Sequence, residues 1–118
     1  MNAGIVVAII VILEVFSGRP NPEWTLTPAQ QKEFERQLAI LPVLGGRSAD
    51  PEEQLGYHGF KLRGLEDPIR VYCGEVSRGR ETLADPGRKL EYWLLDSGRL
   101  SLDARLVAYV EAEIARSP

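Results

Sequence analysis

A chain of 118 residues is of single-domain length, and 44% hydrophobic with 26% charged residues is a globular composition that excludes a disordered chain. Fourteen Lys and Arg against seventeen Asp and Glu leave a net charge of −3, without the basic excess that nucleic acid requires. One cysteine, Cys73, and one histidine, His58, exclude an internal disulfide and a Cys/His zinc site, and no run of spaced acids points to another metal.

The first element is the apolar run AGIVVAIIVIL at residues 3–13. Eleven residues are too few to span a bilayer as a helix, and the run lacks the basic flank and cleavage site of a secretory leader. A cytoplasmic protein is the expectation, with secretion or anchoring by residues 1–16 the open alternative. Eight of the eleven are Ile, Val or Leu, mostly β-branched, which predicts a buried strand. The core strand is expected at 11–16, with residues 1–10 an extension. The uncharged stretch from Ile5 to Leu13 is also suited to pairing with another chain.

The strand stops at Ser17-Gly18, where SGRPNPEW begins. A helix then opens at Thr27, with Pro28 in its first position and Gln30 completing a capping box; Phe34, Leu38 and Leu41 form its buried stripe and Pro42 ends it. Residues 45–54 read as loop, with a turn at Pro51. Two strands follow, YHGFKL and IRVYCGEV, joined around Gly64 and Glu66-Asp67-Pro68. Residues 77–84 read as polar loop. Asp85-Pro86 opens a second helix carrying Leu90, Trp93 and Leu94 and stopping at Gly98, and Ser101 opens a third with Leu102, Leu106, Val110 and Ile114. The order β-α-β-β-α-α predicts an α+β domain with a three-stranded, largely antiparallel sheet and helices on one face.

No G-x-G-x-x-G or GxxxxGK[ST] turn is present, so no nucleotide cofactor is indicated, and no other cofactor either. Cys73 and His58 lie on neighbouring predicted strands, a loose nucleophile–base pattern. Strand parity sets Cys73 with Ile69 and Val71 in the core, where a thiol is inert, and sets His58 on the side of Phe60 and Leu62.

The candidate binding residues are Arg19, Asn21, Trp24, Glu14 and His58. Pro20 and Pro22 stiffen the loop, Gly18 supplies a positive φ, and Arg19 is presented as a planar fork for carboxylate or phosphate. The opposing reading makes the loop a turn, with Arg19 paired to Glu14 or Asp96, Asn21 bonding local backbone and Trp24 closing the core.

The stretches VILEVFSGRPNPEWTLT, GYHGF, RVYCGEV and DPGRKLEYWLL resemble a set of small bacterial proteins of unknown role that carry VFSGRPNPxW near the N-terminus. The resemblance spans residues 11–97 and implies no activity, cofactor or partner. The leading expectation is a small binding module that uses residues 17–24 to hold a protein or a small anionic ligand. An enzyme acting through Arg19, His58 and Glu14 or Glu75 is the alternative, and a structural protein self-associating through residues 5–13 is the third.

Overall fold

The computed structural model describes residues 8–44 and 56–116. The elements are β1 (Ile10–Leu13), β2 (Glu23–Thr25), α1 (Pro28–Ala39), β3 (Phe60–Arg63), β4 (Ile69–Tyr72), β5 (Glu75–Arg78), β6 (Glu81–Ala84), α2 (Lys89–Ser97) and α3 (Ala104–Arg116). The α+β class stands. The three-stranded sheet does not: six antiparallel strands form one sheet in the order β2-β1-β3-β4-β5-β6.

Three strands account for the difference. β2 is only three residues long, held because Trp24 is buried opposite Val11. The expected strand IRVYCGEV is two strands, β4 and β5, hinged at Cys73-Gly74. Both turn residues have positive φ, as a two-residue type I′ hairpin demands. Cys73 is therefore exposed at a hairpin tip rather than buried in the core. The expected polar loop at 77–84 is the end of β5, a turn and β6. These strands look polar because β5 buries only Val76 and β6 only Thr82 and Leu83.

Strand β1 lies inside the sheet, paired with β2 on one edge and β3 on the other. Ile9 and Ile10 belong to the domain: Ile9 is fully buried and its carbonyl accepts from the Leu26 amide, while Ile10 pairs with Thr25 and Arg63. Residues 9 and 10, expected within an extension, are thus part of the core and the sheet. With both edges of β1 paired, residues 10–13 offer no free edge to a second chain; residues 1–7 lie outside the described part, as does the expected loop at 45–54.

The α1 helix forms as its capping box dictates, with Thr27 Oγ1 accepting from the Gln30 amide and Gln30 Oε1 accepting from the Thr27 amide. Phe34 and Leu38 are buried, and Leu41 packs partly buried against the core. Asp85-Pro86 opens a 3₁₀ turn over Pro86–Arg88 before α2 begins at Lys89. The Asp85 carboxylate still caps α2, accepting from the Leu90 and Glu91 amides at 2.8 and 3.0 Å. The third helix starts at Ala104 rather than Ser101, which closes a short 3₁₀ turn.

One side of the sheet and the inward faces of the helices build the core. Val11, Leu13, Phe60, Leu62, Val71 and Val76 meet Phe34, Leu38, Leu90, Leu94, Val110 and Ile114, all buried. Phe34 stacks on Trp93 at 6.4 Å, joining α1 to α2. The alternate residues Glu14, Lys61, Arg63, Arg70 and Ser77 stand on the sheet's outer side, exposed or half-buried.

Candidate functional site

The site is built at a local break in strand pairing. The Glu14 amide donates to the Gly59 carbonyl at 2.9 Å, and the His58 amide donates to the Glu14 carbonyl at 2.7 Å. Two residues thus oppose one, which is a β-bulge. Gly59 makes it feasible, with φ near +93° and no room for a side chain against the Val71 carbonyl and Tyr72. The bulge resets the side-chain phase. Simple alternation from Phe60 sends His58 inward, but the extra residue buries Tyr57 instead and leaves His58 half-buried.

Across the outer side of the sheet, β3 and β4 set Lys61 opposite Arg70. Glu14 reaches between them, with Oε1 3.0 Å from Arg70 Nη2 and Oε2 3.7 Å from Lys61 Nζ. Arg70 Nη2 also donates to the His58 carbonyl at 3.3 Å. Among the described residues, two further polar atoms here, His58 Nε2 and Arg70 Nε, are shielded from solvent and meet no hydrogen-bond partner. Beside them lies a shallow depression of about 420 Å³, bordered by Ile12, Lys61, Arg63, Pro68, Arg70 and Ser77. Among the described residues, three bases and no acid line it. Arg63 holds Glu23 at 3.3 Å, an exposed pair that a competing anion opens at little cost.

The SGRPNPEW loop folds around this position. Asn21 Oδ1 accepts from the Val15 and Phe16 amides at 3.0 and 2.8 Å, and the Pro22 carbonyl accepts from the Leu13 amide at 3.0 Å. These bonds bracket Glu14 on both sides. Gly18 has the expected positive φ, near +80°. Trp24 is buried, its indole donating to Ser97 Oγ at 2.9 Å and its ring meeting Phe60 edge-on. Arg19 pairs with neither expected acid. Its guanidinium lies 3.7 Å over the Phe16 ring, while Glu14 is taken by Arg70 and Lys61 and Asp96 by Arg99 at 2.6 Å. Of the five sequence-predicted residues, the structure joins Glu14 to His58 through the bulge. Asn21 acts on the backbone flanking Glu14, while Trp24 is in the core and Arg19 is apart.

A second polar assembly, unforeseen in the sequence, lies under the helices. Arg88 donates from Nε and Nη2 to both oxygens of Glu91, each at 2.8 Å, and from Nη1 to the Ile114 carbonyl at 3.0 Å. The Tyr57 hydroxyl donates a short hydrogen bond to Glu91 Oε2. Burial and then the Glu91 charge push the Tyr57 hydroxyl far above its ordinary range. Burial also raises the Asp85 carboxyl, partly offset by the Leu90 and Glu91 amides. For Arg88 burial acts downward, but the Glu91 bonds outweigh it and hold the guanidinium charged. Its one sequence signal is Glu91 itself, a carboxylate at helical spacing from Leu94 and Leu95 on an apolar face.

Cys73 lines a surface pocket with Asp85, Arg88 and Tyr92, and His58 is not among the residues lining it, so the thiol has no imidazole base there. Among the described residues, no group of three or more His, Cys, Asp or Glu side chains is arranged to hold a metal ion. No described helix is long and apolar enough to cross a membrane. No family model, curated protein or solved structure matches the chain.

Proposed function

We propose that this protein is a binding module that receives an anionic group, carboxylate or phosphate, on the outer side of its sheet. Lys61, Arg63 and Arg70 supply the charge. Glu14 holds Arg70 in position, and the 17–24 loop supports the site by fixing the backbone around Glu14. The observation that carries the reading is the depression that, among the described residues, is lined by three bases and no acid, on a chain of net charge −3. Arg70 adds a directional donor, because its buried Nε–H has no acceptor among the described residues.

An arginine fork flanked by two further cations matches a carboxylate or phosphate in both charge and shape. Half-exposed cations also keep the interaction sensitive to salt. Calorimetric titration with citrate and with inorganic phosphate tests the reading. Saturable binding is expected, weakened at least tenfold by Arg70→Gln and reduced by raising the salt concentration. Binding that is unaffected by Arg70→Gln, or absent for both anions, overturns it.

A further inference from the structure

The connection between β3 and β4, residues 64–68, has a second concavity on its other side. A groove of about 430 Å³ runs between this connection and α1. Phe34, Leu38, Leu65 and Ile69 give it an apolar floor, and Glu35, Glu66 and Asp67 are exposed along its rim. Arg78 is the one base lining it among the described residues, and Glu81 engages that base at 2.5 Å. Among the described residues, none of the three rim carboxylates has an ion-pair or hydrogen-bond partner.

We propose that this groove docks a basic amphipathic peptide segment of a partner protein, one that alternates Lys or Arg with large apolar side chains. Charge complementarity argues for this occupant. Three unpaired carboxylates around an apolar floor suit a side chain whose hydrocarbon part packs below while its cationic head stays at the wet rim. The rim repels anionic lipid and nucleic acid. Among the described residues the carboxylates are not arranged as a metal-binding cluster, and a cation spread along a segment suits them better than a single ion. The volume accommodates one or two large side chains, within the usual span of binding clefts. The inference is independent of the anion site on the outer side, since it uses neither Lys61 nor Arg70.

The test is fluorescence anisotropy with a labelled heptapeptide of alternating lysine and leucine. Lysine–serine and glutamate–leucine heptapeptides serve as controls. The lysine–leucine probe is expected to bind saturably, with affinity at least tenfold above the lysine–serine probe and none for the acidic one. Glu66→Lys with Asp67→Lys should lower that affinity tenfold or more, and Glu35→Lys on α1 should lower it independently. Asp96→Lys with Glu111→Lys makes the same change in net charge at a distance and should alter affinity less than twofold. Equal losses from the two double variants, or equal affinity for the lysine–serine probe, would mean only diffuse attraction and would overturn the proposal, as would no binding. Circular dichroism on each variant confirms that the fold is kept.

Discussion

Two arginine–glutamate pairs in this molecule use the same chemistry to opposite ends. Arg88 and Glu91 meet at 2.8 Å with side chains 10% and 0% exposed, whereas Arg70 and Glu14 meet at 3.0 Å with 30% and 20%. The inner pair is closed. Both carboxylate oxygens accept from the guanidinium, the remaining arm of Arg88 finds Ile114, and Tyr57 completes the shell around Glu91. The outer pair is open, with Arg70 Nε and His58 Nε2 still without partners among the described residues, beside a cation-lined depression. A closed pair is scaffolding, because any group removed from it leaves an uncompensated charge in the interior. An open pair has donors left to offer a ligand.

The comparison breaks first at the inner pair. Glu91→Ala should lower stability by about 3–5 kcal/mol in urea unfolding, because it leaves the Arg88 guanidinium buried without its counter-charge. Changing Arg88→Met in the same chain should recover part of that loss, and a single-variant loss below about 1 kcal/mol would show that the knot is not closed. A similar loss, about 3–5 kcal/mol, is expected for Trp24→Ala, which empties the space between Phe60 and Ser97.

Asn21→Ala comes next. It removes the acceptor for two backbone amides and should cost about 1–3 kcal/mol. It should also weaken anion binding, because those amides flank Glu14; unchanged binding would confine the loop to a turn. The alkaline limb sharpens the picture of the inner pair. A tyrosine held above its ordinary value near 10 contributes stability that is full below that pH and is lost as pH rises through the folded-state value. Stability should therefore fall above about pH 10, and Tyr57→Phe should flatten that fall. The smallest effect belongs to the outer pair: Glu14→Gln should change stability by at most about 1 kcal/mol. Relieved of the counter-charge, Lys61 and Arg70 should bind phosphate a few-fold more tightly.

Where local chemistry sets the structure, the sequence is legible. Thr27, Pro28 and Gln30 mark the start of α1, and Gly18 and Trp24 behave as their residue types imply. What escaped depends on rarer or longer-range causes. Cys73 adopts a left-handed backbone usually left to glycine or asparagine, so the break between β4 and β5 carries no familiar signature. β5 and β6 alternate too weakly to be distinguished from a polar loop, because each buries only one or two residues. The Gly59 bulge shifts the side chains just before it by one step, which moves His58 out of the core and Tyr57 into it. The pairing of Glu14 with Arg70 depends on β1, β3 and β4 lying side by side, a fact of topology, so the nearby Arg19 was the natural but mistaken partner.

The contrast between the two arginines is most directly tested at their Nε–H resonances while inorganic phosphate is added. The Arg88 Nε–H, bonded to Glu91 in the interior, should exchange slowly with water and stay in place throughout. The Arg70 Nε–H should move along a saturating curve, in step with the amides of Lys61 and Arg63. An Arg70 signal that does not respond, or an Arg88 signal that moves with it, contradicts the division of this molecule into a closed scaffold and an open binding surface.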